Sequence, residues 1–320
     1  MNKKNNLLCC DWGTSNFRLY LVNSLHQKII GQLEEGQGVA VVFKAWKKQK
    51  VQDRVSFFRQ FLQQKINQLA ERLGVVLTNI PVILSGMASS SIGIVEIPYS
   101  SLPFHLNQPK LNFQKITATI KYPNPLFVFG GLKAAIDVMR GEEVQLLGLK
   151  EKLPEGDCIC ILPGTHSKHI WVEKGTATRF QTFITGELFR LLEIHSILSN
   201  SVAGTFDLKN HLSAFKEGVT ESKSGNLLNL LSKIRANSLL KGVSAPDNQA
   251  YLSGLLIGAE LKTLRLEKYS IVLSGGKPLI FLYEKALATL FPNQKIVAIP
   301  ADELAMAIPK AHSYLFQSIN

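Results

Sequence analysis

Residues 7–22 read LLCCDWGTSNFRLYLV, an apolar run followed by a short polar turn and a second run in which polar and apolar residues alternate. This pattern predicts two antiparallel strands joined by a tight turn. Gly13 allows the backbone to approach an anion closely, and the side chains of the turn add hydrogen-bond donors from Thr14, Ser15 and Asn16. Asp11, at the end of the apolar strand, can hold Mg²⁺ through the water ligands of the ion. The stretch therefore predicts a phosphate-binding hairpin.

The same arrangement recurs in the second half of the chain. Residues 157–172 read DCICILPGTHSKHIWV, again an apolar strand, a Gly-Thr turn and a second strand. Residues 82–86 (VILSG) are likewise matched by residues 271–275 (IVLSG). Internal similarity at a long offset predicts two related domains. One phosphate-binding hairpin in each domain predicts a nucleotide in a cleft between them.

The composition is that of an ordinary globular protein. The chain has 320 residues, 46% of them hydrophobic and 19% charged, enough for two domains that each bury a core. No apolar run approaches the roughly 18–20 residues of a membrane span, and the short polar start leads directly into a strand, so we expect a cytoplasmic protein without membrane contact. The four cysteines are expected to be small buried hydrophobic residues rather than zinc ligands, because all lie in apolar strand runs: Cys9, Cys10, Cys158 and Cys160.

The formal net charge of +12 raises the question of nucleic-acid binding. The basic residues are dispersed, however, and the one local cluster, around Trp46, is short. A modest basic bias is equally suited to small anionic substrates. We therefore expect no nucleic-acid partner.

Three further segments carry structural or chemical signals. Residues 53–73 have apolar residues at three- and four-residue spacing, which predicts an amphipathic helix that ends at Gly74. The small residues after the strand that ends at Gly86 predict either a loop that a ligand can approach or a plain surface turn. Residues 138–146 (VMRGEEVQL) place Arg140 beside two carboxylates. These acids either complement a helix dipole or, with Arg140, bind a sugar acid and take a hydroxyl proton.

Seven motifs, taken in order along nearly the whole chain, resemble those of the 2-dehydro-3-deoxygalactonokinase family. They are residues 11–18 (DWGTSNFR), Gly86-Met87 with Gly93 and Pro98-Tyr99, residues 138–146, residues 162–168 (LPGTHSK), residues 185–189 (TGELF), residues 195–198 (HSIL) and residues 252–260 (LSGLLIGAE). The chain departs from the family pattern at Ser89, Ser91 and Ile94, where glycine, arginine or asparagine, and tryptophan are expected. It departs again at His169, where an aromatic residue is usual, and at residues 305–309, which lack an expected glycine.

The resemblance implies the fold of the acetate and sugar kinase, heat-shock-cognate and actin superfamily: two related actin/hexokinase-like, ribonuclease H-like α/β domains with ATP in the cleft. It also implies transfer of the γ-phosphoryl group of ATP to the 6-hydroxyl of 2-dehydro-3-deoxy-D-galactonate, giving the 6-phosphate used in galactonate breakdown. We expect residues 1–150 to form the sugar-acid domain and residues 151–320 the nucleotide domain. Residues 301–320 would form a helical tail that could cross back to the first domain.

The motifs then assign residues to ATP, Mg²⁺ and the sugar acid. The nucleotide contacts would come from Gly13, Thr14, Ser15, Asn16, Gly164, Thr165, His166, Lys168, Gly275 and Gly276. The sugar-acid contacts would come from Arg18, Met87, Ser89, Arg140, Thr185 and Glu187. Asp11 would orient Mg²⁺ and take part in catalysis, and Glu142 or Glu143 would accept the hydroxyl proton; if neither glutamate does so, Asp11 becomes the candidate base.

Several alternatives stay open on the sequence alone. Lys168 and His166 are also compatible with ordinary turn roles, and Glu187 with an acid at a helix N-terminus. The chain could phosphorylate another 2-keto-3-deoxy sugar acid, or could sense a sugar acid and nucleotide without turnover. The oligomeric state is undecided, with a homodimer as one possibility.

Overall fold

The computed structural model describes residues 5–49, 53–204, 207–266 and 268–319, and the chain divides into two compact units. Unit 1 takes in the chain up to Leu153, the short segment Gly175–Arg179 and the chain from Asp302 onward. Unit 2 consists of Pro154–Lys174 and Phe180–Ala301. The domain limits expected from the sequence, and the role expected for each domain, stay predictions.

Unit 1 is built on a six-stranded sheet in which the predicted hairpin is central. The strand order is β3-β2-β1-β4-β8-β7, with β1 antiparallel to β2 and parallel to β4. A small three-stranded sheet in the order β10-β9-β5 lies in the same unit. The elements are β1 (Asn6–Trp12), β2 (Phe17–Asn23), β3 (Lys28–Glu35), α1 (Val39–Gln49), α2 (Arg54–Leu73), β4 (Val82–Gly86), β5 (Ser100–Ser101), β6 (Phe104–His105), β7 (Phe113–Ile116), β8 (Leu126–Phe129), β9 (Leu132–Lys133), β10 (Val138–Met139) and α3 (Glu142–Gly148).

Unit 2 repeats the sheet of unit 1. Its strands run in the order β15-β14-β11-β12-β13, with β11 antiparallel to β12 and parallel to β14. The first residues of β13 lie in the Gly175–Arg179 segment of unit 1, where Thr176 and Ala177 pair with β6. The elements are β11 (Cys158–Leu162), β12 (Ser167–Glu173), β13 (Thr176–Phe183), α4 (Thr185–His195), α5 (Leu208–Glu221), α6 (Leu227–Lys241), α7 (Ala245–Leu261), β14 (Ser270–Ser274), α8 (Lys277–Leu290) and β15 (Ile296–Ile299).

The two sheets have the same topology. In each unit the third, second, first, fourth and fifth main strands lie side by side, with a helix after the third strand. The predicted internal repeat is therefore a repeat of fold, and the predicted α/β fold class is confirmed. All four cysteines are free thiols buried in the first strand of each repeat.

Helix α2 covers one face of the first sheet and ends as predicted. The Asp53 side chain accepts a hydrogen bond from the Ser56 N–H at the N-terminus, and Gly74 closes the C-terminus in a left-handed conformation, with φ of 64°. Its apolar stripe packs into the core of unit 1 through Phe58, Leu62, Ile66 and Leu69. The periodicity of the sequence thus defines both the limits and the buried face of this helix.

The last helix, α9 (Ala301–Gln317), corrects one expectation. A proline is expected to end or kink a helix, but α9 continues through Pro309 to Gln317. From Asp302 onward the helix belongs to unit 1, where Ala307 lies directly against Gly148 and the His312 ring hydrogen-bonds to Ser85 at 2.9 Å. An internal proline costs roughly 3 kcal/mol in a helix, so α9 depends on its packing within unit 1 rather than on helix propensity. Among the helices of the described residues, none is both long and apolar enough to cross a membrane.

Candidate functional site

The tip of the first hairpin is held from behind by the start of α1. The carbonyl oxygens of Gly13, Thr14 and Ser15 accept hydrogen bonds of 2.9–3.1 Å from the N–H groups of Val39, Ala40 and Gly38, respectively. The tip side chains are exposed. Within the described ranges, the Thr14 and Ser15 N–H groups have no hydrogen-bond acceptor. The tip therefore presents donors to its surroundings, as an anion site requires.

Gly38 makes this contact possible. A Cβ atom at Gly38 would lie 2.2 Å from the Thr14 carbonyl oxygen and 2.5 Å from the Ser15 carbonyl carbon. We expect Gly38→Ala to lower the free energy of unfolding by about 2–3 kcal/mol, because two backbone segments must separate. Thermal unfolding measures this loss. Gly36→Ala is the matched control, since a Cβ there meets nothing within 4 Å; equal losses in both variants would contradict the prediction.

The tip of the second hairpin is likewise contacted by the start of a helix. A Cβ atom at Gly186, in the first turn of α4, would lie 2.5 Å from the Gly164 carbonyl oxygen. The Glu187 N–H donates to the Thr165 carbonyl oxygen at 3.0 Å. In the part of the chain that the structure describes, the Thr165 and His166 N–H groups have no acceptor. Each unit therefore carries a glycine that brings a helix start onto a hairpin tip.

The side chains around the second tip differ in accessibility. His166 is exposed, and its Nε2 atom lies 2.5 Å from a carboxylate oxygen of Glu187. Lys168 is only 4% exposed, and its ammonium donates to the His166 carbonyl oxygen at 3.3 Å. Thr185 donates its hydroxyl to the buried carboxylate of Glu260. Within unit 2, then, Lys168 and Glu187 have partners on the tip itself, and Thr185 has a partner beneath it.

An apolar pocket of about 150 Å³ adjoins this tip inside unit 2. Gly164 and Gly186 form one side of it, and the remaining lining is mostly apolar, from Phe189, Leu256, Ile257, Leu279 and Leu282 with Thr185, Ser253 and Tyr283. Gly276 precedes α8, from which Leu279, Leu282 and Tyr283 project, and a Cβ at Gly276 would meet nothing within 4 Å. The mostly apolar lining suits the flat face of an aromatic ring such as a nucleobase.

Carboxylates gather at the end of β1 in unit 1. Asp11 pairs with Arg18 at 3.3 Å, and Arg18 also contacts Glu34 at 2.8 Å. Burial raises the pKa of Asp11, while Arg18 opposes the rise and the negative charge of Glu142 adds to it. Asp11 therefore lies within electrostatic range of the RGEE segment.

Glycines allow these segments to meet. A Cβ at Gly86 would lie 3.3 Å from the Asp11 Oδ1 atom. Gly141 has a φ of 112°, and a Cβ there would lie 3.6 Å from the Gly86 Cα. The end of β1, the end of β4 and the start of α3 thus converge on one point. This point is the candidate active site of unit 1.

The two adjacent glutamates have different environments. Glu142 is partly exposed, and one of its oxygens accepts the Arg140 N–H at 3.0 Å. Glu143 is 1% exposed, and both of its oxygens lie 2.8–2.9 Å from the Gly141 N–H. Burial, followed by the charge of Glu142, raises the pKa of Glu143 to about 8. Glu142 is accessible to a ligand, whereas Glu143 supports the turn.

The raised pKa of Glu143 makes the stability of unit 1 depend on pH. Between the ordinary value of 4.5 and about 8, the unfolded chain ionises while the folded carboxyl keeps its proton, so stability falls as pH rises through this window. The loss is on the order of 1 kcal/mol per pH unit. We expect Glu143→Gln to gain stability relative to the wild type as pH is raised from 5 to 8, measured by denaturant unfolding. Glu71→Gln, at an exposed position of α2, controls for the loss of a carboxylate; parallel curves for the wild type and Glu143→Gln would contradict the prediction.

Arg140 is fixed by the loop that follows β4. Its Nη1 atom donates to the carbonyl oxygen of Ser89 at 2.5 Å and to the hydroxyl of the same residue, and Nη2 lies 3.5 Å from the Ile97 carbonyl oxygen. The guanidinium lies 4.3 Å above the Tyr99 ring. Met87, which precedes this contact, is partly exposed. The arginine is thereby oriented, and Nε has no acceptor among the residues that the structure describes.

Two buried polar contacts were not predicted. The Glu260 carboxylate, 3% exposed in α7, accepts from side chains of three other elements, and His312 contacts Ser85 beside the candidate active site. A signal for the first was present, because Glu260 is a single carboxylate in the otherwise apolar and small-residue run LSGLLIGAEL. No comparable signal marks His312. Burial lowers the pKa of His312 to about 3, so its ring is uncharged at neutral pH.

The residues of unit 1 fit magnesium in one specific way. No cluster of three metal-ligating side chains occurs in the ranges described. Asp11 is a single carboxylate with 14% of its side chain exposed, next to a tip with free N–H groups. Mg²⁺ in phosphoryl-transfer sites is held by one or two carboxylates together with phosphate oxygens and water. Asp11 would hold the ion in that manner, and bound Mg²⁺ would neutralise phosphate charge.

Comparison with solved structures supports the fold. The activator of 2-hydroxyisocaproyl-CoA dehydratase from Clostridium difficile, solved with bound ADPNP, superposes with a TM-score of 0.51 at 12% identity over 98% of this chain and 96% of that chain. At this identity the likeness concerns the fold, which is the two-domain actin-like α/β fold predicted above.

Closer relatives define the family. The 2-keto-3-deoxy-galactonokinase family model matches residues 11–307. The chain is 31% identical over 306 residues to the "Probable 2-dehydro-3-deoxygalactonokinase DgoK1" of Rhizobium meliloti, covering 93% of each, and 28% identical over 291 residues to the 2-dehydro-3-deoxygalactonokinase of Escherichia coli, covering 88% of this chain and 89% of that one. A crystal structure of a predicted 2-dehydro-3-deoxygalactonokinase from Sinorhizobium meliloti superposes with a TM-score of 0.81 at 30% identity over 96% and 95% of the two chains. The chain belongs to the 2-keto-3-deoxy-galactonokinase family and is a kinase.

Proposed function

We propose that the protein transfers the γ-phosphoryl group of ATP to the 6-hydroxyl of 2-dehydro-3-deoxy-D-galactonate, giving the 6-phosphate that is used in galactonate breakdown. The proposal rests on one observation above the others. In unit 1, a hairpin tip with free N–H groups adjoins a point where Asp11 and the RGEE segment converge. The identity of the sugar-acid substrate is inferred from the names of the relatives.

Unit 2 is proposed to bind the nucleotide. The second tip offers the free N–H groups of Thr165 and His166 to phosphates, and the adjoining pocket of about 150 Å³ suits the base. Open space around Gly164 and Gly276 leaves room for a ligand close to the backbone. Lys168 is buried and would contribute charge from beneath the tip rather than direct contact.

Unit 1 is proposed to bind the sugar acid and the metal. Asp11 would hold Mg²⁺, and the Thr14, Ser15 and Asn16 region would meet the terminal phosphates. The Arg140 guanidinium, oriented by Ser89 and Tyr99, would bind the substrate carboxylate through N–H groups that the loop leaves free. Pre-orientation by the loop reduces the entropy lost when that carboxylate binds.

Glu142 is the proposed general base. It would take the proton of the 6-hydroxyl as that oxygen bonds to phosphorus and ADP leaves. Its partial exposure and its position within electrostatic range of Asp11 support this role, whereas Glu143 is only 1% exposed. Phosphoryl transfer otherwise needs alignment and charge neutralisation more than covalent help.

The experiment is a coupled ADP-release assay with ATP and Mg²⁺. We expect turnover with 2-dehydro-3-deoxy-D-galactonate and a kcat/KM at least about tenfold lower with its gluconate epimer, since one misplaced hydroxyl leaves a polar contact unmade. Mass spectrometry and NMR of the product identify the phosphorylated oxygen. Turnover of neither epimer, or a product phosphorylated elsewhere, would overturn the proposal.

A further inference from the structure

Glu260 accepts hydrogen bonds from four side chains in the interior of unit 2. Its Oε1 atom accepts from the Ser167 hydroxyl at 2.7 Å and from His169 Nε2 at 2.8 Å. Its Oε2 atom accepts from the Tyr283 hydroxyl at 2.8 Å and from the Thr185 hydroxyl. A carboxylate group has about four lone-pair directions, so these four contacts occupy its hydrogen-bonding positions. The carboxylate thereby connects β12, α4 and α8 to α7.

The donors are located where a nucleotide would bind. Ser167 directly follows the tip of the second hairpin, and Thr185 directly precedes Gly186, the glycine that touches that tip. Thr185 and Tyr283 also line the apolar pocket next to Gly164. One buried carboxylate therefore fixes the tip, the helix start behind the tip and the pocket wall.

From this geometry we infer that Glu260 is a positioning residue for the nucleotide, which sets the spacing between the phosphate-binding tip and the base pocket of unit 2. The inference rests on the proposed function, because it takes the tip and the pocket to bind one ligand. Phosphates and base are covalently linked, so a site held at the correct spacing before binding loses less entropy on binding. Glu260 itself touches no ligand.

The chemistry of the donors favours a rigid arrangement. Burial raises the pKa of Tyr283 far above its usual range, so the hydroxyl keeps its proton and donates. His169 donates from Nε2, and its other ring nitrogen has no partner among the described residues. Glu260 and His169 are 3% and 0% exposed, so water cannot readily replace a lost contact.

The sharpest test is Thr185→Val, which keeps the shape of the side chain and removes the hydroxyl. We expect the Kd of ADP, measured by calorimetry, and the KM of ATP to rise about tenfold, with the KM of the sugar acid changed less than twofold. Thr185→Ser retains a hydroxyl and should restore wild-type values. A direct contact between Thr185 and the sugar acid would produce the opposite split, with the KM of the sugar acid raised and ADP affinity unchanged.

Glu260→Gln is the second variant. Whichever way the amide is oriented, its NH₂ group faces two of the four donors, so we expect a rise of at least tenfold in the Kd of ADP. Tyr251→Phe is the matched control: Tyr251 lies on the same helix and donates to Glu221 at 2.7 Å, but it does not line the pocket or contact the tip. It should lower the Tm without changing the Kd of ADP.

The measurements separate failure of this inference from failure of the proposed function. If Thr185→Val and Glu260→Gln lower the Tm as Tyr251→Phe does and leave the Kd of ADP within twofold of the wild type, Glu260 is merely structural and the inference is overturned. If the wild type itself binds neither ADP nor ATP, the proposed function fails first, and this is visible without any variant.

Discussion

Asp11→Asn should lower kcat by roughly 10³-fold, about 4 kcal/mol of transition-state stabilisation. The amide keeps the shape of the carboxylate and removes the charge that would hold Mg²⁺. Because burial already disfavours the charged form of Asp11, loss of that charge should leave the fold intact or slightly more stable. The coupled ADP-release assay measures kcat, and thermal unfolding checks that the variant is folded.

Glu34→Gln is the control for this prediction. Glu34 also contacts Arg18, but its side chain is 59% exposed, so its removal tests whether a disturbed Arg18 alone explains a loss. We expect kcat of Glu34→Gln within about threefold of the wild type, as for most exposed ion pairs. An Asp11→Asn variant that keeps more than a tenth of the wild-type kcat at saturating Mg²⁺ would remove Asp11 from the catalytic site.

Glu142→Gln should lower kcat by about 10²- to 10⁴-fold with a smaller change in KM, as expected for loss of a general base. Glu143→Gln is the matched comparison, because it makes the same chemical change one residue away. We expect its kcat to fall less than tenfold, since its oxygens serve the Gly141 N–H rather than a ligand. Steady-state kinetics of both variants on the same preparation decide between them.

The reverse ranking would identify Glu143 as the base, despite its burial. Equal and small effects in both variants would exclude the two glutamates, and Asp11 would then be the candidate for proton transfer. Each ranking therefore corresponds to one assignment of the base.

Much of the fold could be predicted because the sequence repeats itself. Apolar runs and alternation predict the two hairpins and the paired VILSG and IVLSG strands. Three- and four-residue spacing predicts the amphipathic helix after Asp53. All of these signals depend on local backbone geometry. The contact between each helix start and each tip could not be predicted. Gly38 carries no mark that separates it from a loop glycine, and Gly186 is marked only as part of the TGELF motif, which does not say what it contacts. The role of both depends on atoms that only the folded chain brings near.

The candidate site was predictable in residue type more than in geometry. The sequence brought Arg140 and its two glutamates together because they are adjacent, but it gave no sign that Ser89, 51 residues away, holds the guanidinium. It also could not separate Glu142 from Glu143, which differ in burial and not in chemistry. Glu260 was included within a family motif and was assigned no role, although a lone acid in an apolar helix was a usable signal.

The departures from the family pattern now have structural counterparts. Ser89 supplies two of the acceptors that orient Arg140, and the Ser91 carbonyl oxygen accepts from Arg54 at 2.7 Å. Ile94 is fully buried in the core of unit 1. At Ser89 and Ser91 the chain uses backbone and hydroxyl acceptors within its own loop, and Arg140 remains oriented.

The buried thiols of the first strands have a practical consequence. Cys9 and Cys10 lie in unit 1, Cys158 and Cys160 lie in unit 2, and burial raises the pKa of each thiol. Alkylating reagents attack the thiolate, so labelling has to wait until the surrounding sheet opens. The alkylation rates of the two cysteine pairs, measured by mass spectrometry, therefore report the opening of each unit separately. They can be measured in the unmodified protein, with or without an added ligand. Each unit therefore contains its own pair of native probes for local unfolding.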